Sequence, residues 1–266
     1  MEKFKYIFVI LVYRNTQDLE ECIQSIENFV LSYKIIVVNA FYDEESKEKV
    51  KTIAENRDCA FINIENKGYS YGNNIGIEYA RNKFDYEYLI VSNPDITISK
   101  FDDFIMNQNF AYDIIAPKIT AADGRLQNPM YVKKPHISEW LEYKGFKYRL
   151  LWLVRTGIFI SKLNRAYNVR INSNKNIYAI YGAHGCFVML SKKAVDKLYP
   201  VYDENMFLFA EEMVLAIKSS NMGLKTCYYD GISIKHKEDG SMKLSNLKMY
   251  EELRKSNLYY YENYII

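Results

Sequence analysis

The first hundred residues alternate short apolar runs with segments of helical period, and this alternation constrains the fold more than any other feature. Tyr6 to Val12 is a continuous apolar run, as in a strand buried on both faces. The polar turn Tyr13-Arg14-Asn15-Thr16 follows it, and Leu19, Cys22, Ile23, Ile26 and Phe29 then recur at helical spacing. Ile35 to Val38 predicts a second strand, and residues 43–56 a charged helix with Val50, Ile53 and Ala54 facing inward. Ala60 to Ile64 predicts a third strand, Gly72 to Arg81 a third helix, and Tyr88 to Val91 a fourth strand stopped by Asn93-Pro94. Strand and helix in this order predict an α/β fold: a mainly parallel sheet with helices on both faces.

Beyond residue 98 the pattern is less regular. Tyr178 to Leu190 reads as one strand containing Gly182 and Gly185. Residues 211–222 read as a helix ending at Gly223, followed by strands near Lys225 to Tyr229 and Ile232 to Lys235. Residues 243–264 read as a Tyr-rich amphipathic helix. Between them, residues 140–170 hold seven Lys or Arg against the single acid Glu142, interleaved with Trp140, Tyr143, Phe146, Leu151 and Trp152.

Composition excludes several classes. A formal net charge of +2 gives no whole-chain reason to expect nucleic acid as a partner. Cys22, Cys59, Cys186 and Cys227 form no CxxC pair and have no His at zinc spacing, so they read as small buried apolar residues of a reduced, cytoplasmic protein. Met1-Glu2-Lys3 leads directly into a strand-like run, so no leader is expected, and no apolar stretch approaches the ~20 residues that span a bilayer. The 25 tyrosines can stack on bases or sugars, although compositional bias with tyrosines at the surface is the simpler explanation.

Ligands of open α/β sheets bind beyond the carboxyl ends of the strands, so the polar residues there are informative. They are Tyr13 and Asn15, Asn39, Asn66 with Gly68, and Asn93 with Asp95. No GxGxxG or Walker lysine pattern is present, so a Gly-rich loop does not hold phosphates. Asn93-Pro94-Asp95 presents a carboxylate on a fixed turn, a suitable ligand for a hard divalent cation; the alternative is an ordinary turn capping a helix after Ser99. Glu211-Glu212 opens a helix after the apolar run Met206 to Phe209, where a carboxylate can act as general base or simply face the helix dipole. His236 ends a strand-like run, and His184 lies between Gly182 and Gly185, where a ligand can approach the backbone.

Together these motifs resemble the family 2 inverting glycosyltransferases of GT-A fold, particularly the bacterial rhamnosyltransferase-like branch. The matching order is Tyr13-Arg14-Asn15, Val38-Asn39, Asn66-Lys67-Gly68-Tyr69 with Asn73-Asn74-Ile75-Gly76, Asn93-Pro94-Asp95, Gly182-Ala183, Phe207 to Glu212, and His236 with Gly240-Ser241. The resemblance implies one GT-A-like domain over 1–266. It would comprise a nucleotide-sugar half (1–98), an acceptor half (99–240) with the basic aromatic stretch 140–170, and a C-terminal helix (241–266). It implies that Asp95 ligates Mg²⁺ or Mn²⁺ with help from His236. Glu212 would be the first candidate base and Glu211 the second, while Tyr13, Asn15, Asn39, Asn66, Gly68, Asn74 and Asn93 would line the donor. Asn39 and Glu212 stand where the family usually carries Asp, Val214 where a further acid is common, and Lys218 where Arg is usual.

The expected partners are a dTDP- or UDP-linked sugar donor and a glycan or lipid-linked saccharide acceptor. The basic aromatic stretch adds an expectation of contact with the inner leaflet of the membrane, through Lys144, Lys147 and Arg149 among others. Two other readings compete. The same fold can serve as a non-catalytic nucleotide-sugar-binding or complex-forming subunit, which Asn39 and Glu212 motivate. A sugar nucleotidyltransferase would need a Gly-rich phosphate loop after the first strand, and Tyr13 to Thr16 is not one.

Overall fold

Strand β1 (Glu2–Val12) sends alternate side chains to opposite faces of the sheet, and both faces are covered. Tyr6, Phe8, Ile10 and Val12 pack with Leu19, Cys22, Ile23 and Ile26 of helix α1 (Thr16–Phe29) on one side. Ile7 and Val9 pack with Ile77 and Ala80 of α3 (Tyr69–Lys83) on the other. This two-sided burial explains why β1 reads as a continuous apolar run. The structure, a computed structural model, describes residues 1–107, 110–238 and 249–266.

The chain continues through β2 (Tyr33–Phe41), α2 (Glu44–Asn56), β3 (Ala60–Glu65) and, after α3, β4 (Phe84–Ser92). These strands lie in the order β3-β2-β1-β4, each pair parallel. Their carboxyl ends therefore align: Val12 faces Asn39, Asn39 faces Asn63, and Ile10 faces Ser92. The helices start where the sequence supplies caps. Asn15 accepts from the Asp18 amide at the start of α1, and Asp43 accepts from the Ser46 amide at the start of α2.

The second half contributes β5 (Ile96–Phe101), β6 (Ile114–Ala121), α4 (His136–Lys147), α5 (Leu151–Ile171), β7 (Ile177–Ile180), β8 (Phe187–Ser191), α6 (Lys192–Leu198), α7 (Glu211–Asn221), β9 (Thr226–His236) and α8 (Met249–Tyr264). The sheet extends as β4-β8-β6-β9-β5, with β8 antiparallel to β4 and β7 paired to β9.

Several expectations change here. The single strand over Tyr178 to Leu190 is two strands, β7 and β8, separated by a loop at 181–186 that carries both glycines. The two strands near 225–235 are one, β9, whose register shifts at Pro117/Lys118 of its partner β6, opposite the Asp230-Gly231 break in the apolar pattern. Ile96 to Phe101 forms a strand, so Asn93-Pro94-Asp95 does not cap a helix after Ser99. Residues 140–170 fall on a helical hairpin, α4–α5, pressed tight where Gly157 meets Glu142 and Ser138. Many tyrosines are core residues rather than surface ones, among them Tyr6, Tyr88, Tyr202, Tyr228 and Tyr260. Cys59 is half-buried, unlike the other three cysteines. Gly240, Ser241 and positions 243–248 of the expected tail helix lie outside the described residues.

Candidate active site at the carboxyl edge of the sheet

The β5–β9 ladder creates the most telling contact. Ile96 pairs with His236, and the Lys237 amide donates to the Asp95 carbonyl at 3.0 Å. This register places Asp95 Oδ1 3.3 Å from His236 Nε2, with both residues buried. Asp95 Oδ1 accepts no hydrogen bond.

A polar chain fixes the His236 ring. Arg125 donates to both carboxylate oxygens of Glu238, and Gln127 Nε2 donates to Glu238 Oε1 at 2.7 Å. A carboxylate only accepts, so the amide oxygen of Gln127 must be the atom facing His236 Nδ1, at 2.8 Å. Nδ1 therefore donates, and in the neutral ring Nε2 turns a lone pair toward Asp95. Two acceptors facing each other across this gap require a proton or a cation between them. A hard oxygen and an imidazole nitrogen at this spacing fit a divalent cation at about 2.1 Å from each. Among the described residues no set of three His, Cys, Asp or Glu converges.

The loop between β7 and β8 joins this pair to the acids of α7. The His184 amide donates to Asn128 Oδ1, and the Cys186 carbonyl accepts from the Asn93 amide at 2.9 Å. The Gly185 amide donates to Glu212 Oε1 at 3.3 Å, and a Cβ at Gly185 would sit 2.9 Å from that oxygen. Burial, then the neighbouring His236, lowers the His184 pKa to about 4, so the ring is neutral at pH 7. Burial pushes the Cys186 thiol far up, with the charges of Asp95 and Glu212 adding to the effect.

Glu211 and Glu212 differ in access. Glu211 is buried and its Oε1 has no hydrogen-bond partner, whereas Glu212 is half-buried against Gly185. Burial raises both carboxyls, and the Glu212 charge raises Glu211 further, so the adjacent pair holds protons more tightly than two free carboxyls would. Phe209 and Ala210, immediately before the helix, both adopt positive φ (73° and 64°) without being glycine. Such backbone costs about 1–3 kcal/mol per residue and concentrates at functional sites.

The residues expected to line a donor divide in two. Tyr13, Asn39, Asn66, Gly68 and Asn93 stand on the carboxyl edge of the parallel strands. There Tyr13 packs edge-on to Tyr42, and Asn39 Nδ2 donates to Asn63 Oδ1 at 2.7 Å. Asn66 accepts from the Gly68 amide at 3.2 Å. Gly68 has φ +102°, and a Cβ there would sit 2.4 Å from the Phe207 carbonyl oxygen, so only glycine allows this approach. Asn15 and Asn74, by contrast, have their side chains engaged in the scaffold. Asn15 caps α1. Asn74 donates to the Tyr202 carbonyl and to Glu204, and accepts from the Tyr202 amide. Lys218 donates to the carbonyls of Leu198, Pro200 and Val201, and Val214 is core. Sequence reading passed over Gln127, Asn128, Tyr42 and Asn63. Gln127 had no signal, because its role depends on a hydrogen bond across 109 positions.

Residues 7–198 match the sequence profile of glycosyl transferase family 2. The chain belongs to that family. This family 2 domain is 23% identical over 225 residues to the low-salt glycan biosynthesis hexosyltransferase Agl10 of Haloferax volcanii, covering 82% of this chain and 63% of the relative. It is 27% identical over 127 residues to poly-beta-1,6-N-acetyl-D-glucosamine synthase of Staphylococcus aureus, covering 46% and 29%. The family 2 chain thus spans less than two thirds of the length of these curated relatives. Among solved structures it resembles GalNAc-T7 with UDP, GalNAc and Mn²⁺ (TM-score 0.58, 13% identity, 88% of this chain and 44% of that one). It also resembles Staphylococcus aureus TarS with UDP-GlcNAc (TM-score 0.57, 11% identity, 98% and 68%). The fold is that of the GT-A glycosyltransferases.

Proposed function

We propose that this family 2 chain is an inverting glycosyltransferase of the rhamnosyltransferase-like branch. It transfers a sugar from dTDP-rhamnose or a UDP-hexose to a hydroxyl of a glycan or lipid-linked saccharide in bacterial surface polysaccharide synthesis, in the cytoplasm and against the inner leaflet. One observation carries the reading: the buried, unpaired Asp95 oxygen facing His236, joined through the 181–186 loop to Glu212. Relatives named for hexosyl transfer and neighbours holding UDP or UDP-GlcNAc support it.

Asp95 and His236 would hold Mg²⁺ or Mn²⁺, which when bound neutralises diphosphate charge. Tyr13, Asn39 and Asn66 on the strand ends would position the nucleotide. Glu212 would accept the acceptor hydroxyl proton as the acceptor oxygen bonds to the anomeric carbon. The bond from that carbon to the diphosphate breaks, and the nucleoside diphosphate leaves on the opposite face. Burial raises the proton affinity of both carboxyls, and Glu212 is the more accessible of the two, which suits it to the role of base. Glu212→Gln is expected to retain donor binding, read as a thermal shift with UDP or dTDP sugars and Mn²⁺, and to lose ~10²–10⁴-fold in turnover. Full turnover in Glu212→Gln would overturn the assignment. Retained donor binding with no Glu212-dependent transfer or hydrolysis in the wild type would favour the non-catalytic subunit.

A further inference from the structure

The outward face of α5 carries apolar side chains that nothing among the described residues covers. Trp152, Phe159, Leu163 and Tyr167 follow one another along the helix, each 55–65% exposed. A soluble surface rarely presents so long a row of large apolar groups. Arg155, Lys162 and Arg170 are interleaved with them, and none forms an ion pair among the described residues. The helix has no acidic residue. At 21 residues it is about 30 Å long, yet no described helix is apolar enough to cross a membrane. An exposed stripe of Trp, Phe and Leu flanked by cations is the pattern of a helix lying in a lipid interface.

We infer that α5 is an interfacial helix that docks the protein on an anionic lipid surface, with the row from Trp152 to Tyr167 among the acyl chains and Arg155, Lys162 and Arg170 at the headgroups. The structure moves the contact away from the basic residues that stand out in sequence. Lys147 is paired with Glu262 at 3.5 Å and Arg149 with Glu251 at 3.2 Å, so their charge is already met within the protein. A second copy of the chain is a poorer occupant, because symmetric pairing through this stripe would oppose like charges with no acid to relieve them. The inner face of α5 connects the lipid surface to the site. Arg165 donates to the carbonyls of Leu126 and Pro129, which bracket Gln127, the partner of His236. Only the step from lipid docking to capture of a lipid-linked acceptor rests on the glycosyl-transfer reading.

Trp140 and Trp152 are the only tryptophans, and both are exposed on α4–α5, so intrinsic fluorescence reports this surface directly. The whole chain is titrated with vesicles of phosphatidylcholine alone or enriched in phosphatidylglycerol, with and without brominated acyl chains. The expected result is a blue shift and bromine quenching with anionic vesicles only, reversed by high salt. The triple variant Arg155→Glu, Lys162→Glu, Arg170→Glu should bind at least ~100-fold more weakly. Lys147→Glu with Arg149→Glu, at the two positions already paired within the protein, should have a much smaller effect. Wild-type emission indifferent to anionic vesicles overturns the proposal. So does a lipid-free dimer, seen by sedimentation, whose tryptophans are already blue-shifted, since a second copy would then cover the stripe. Mn²⁺-dependent UDP binding without lipid is measured in parallel. Its absence in a wild type that still binds vesicles would sink the glycosyl-transfer reading and leave the lipid surface standing.

Discussion

Gln127 offers the sharpest test of the Asp95–His236 pair, because it touches neither Asp95 nor the acids of α7 in the hydrogen-bond network. Gln127→Ala removes the acceptor 2.8 Å from His236 Nδ1 and the donor 2.7 Å from Glu238. A buried ring N–H left without an acceptor costs about 1–3 kcal/mol. The ring can recover part of this by moving its proton to Nε2, and that tautomer can no longer ligate through Nε2. Loss of a partner behind a metal-binding histidine typically weakens affinity 10–100-fold, or about 1.4–2.8 kcal/mol, which agrees with the hydrogen-bond figure. The assay is the electron paramagnetic resonance signal of free Mn²⁺, titrated with protein in the presence of UDP. Gln127→Ala should shift the Mn²⁺ midpoint by that factor. Gln127→Glu, which retains an acceptor toward Nδ1 but repels Glu238, should bind Mn²⁺ nearly as well and melt lower. Wild-type Mn²⁺ affinity in Gln127→Ala, with affinity lost in Asp95→Ala, would refute the tautomer argument.

Asn74→Ala strands the buried Tyr202 amide and carbonyl, so calorimetry should show a loss of about 2–5 kcal/mol and a fall of roughly 4–10 °C in Tm; below the transition, UDP affinity should be unchanged, and a selective loss of UDP binding would restore Asn74 to the donor pocket. The pH dependence follows from Glu211, whose pKa burial raises to about 8 against an ordinary 4.5. Between those values the folded chain binds more protons than the unfolded one, so stability falls as pH rises through this window. Glu142, raised to about 7 by burial, acts in the same direction. Melting curves from pH 5 to pH 8.5 should show the decline, and Glu211→Gln should flatten it; an unchanged slope would remove Glu211 as its source.

The parallel half was legible in sequence because β1, β2 and β4 are buried on both faces and their helices bury one stripe each, so the period alone identifies them. The second half was less legible for physical reasons. β5 is short and its Ser99-Lys100 is exposed, so no run of apolar residues announces it. Gly182 and Gly185 sit in a loop that must pass close to Glu212, and their apolar neighbours made that loop look like strand. Polar strand ends mark the sheet edge on which Asp95, Asn39 and Asn66 gather. Residue type alone does not show that the Asn15 side chain caps α1 and that Asn74 holds the Tyr202 backbone, because that lies in their partners.

The position of β9 has a consequence for fragments and for synthesis. It is the last strand in sequence among the described residues, yet it lies between β5 and β6 and supplies hydrogen bonds to both. A nascent or truncated chain ending before Thr226 therefore holds three complete strands, β5, β6 and β7, that each lack the partner edge of β9. Such open edges recruit strands from other molecules. The segment matched by the family, 7–198, ends before this strand. Expressed by itself, that segment would carry the strand-end asparagines but not His236, and it would be expected to self-associate through the slot that β9 fills. A register slip of one residue in β9 would be just as damaging, because it turns His236 to the opposite face of the sheet. On the proposed metal site, tight Mn²⁺ binding would certify that β9 has been threaded in its proper register.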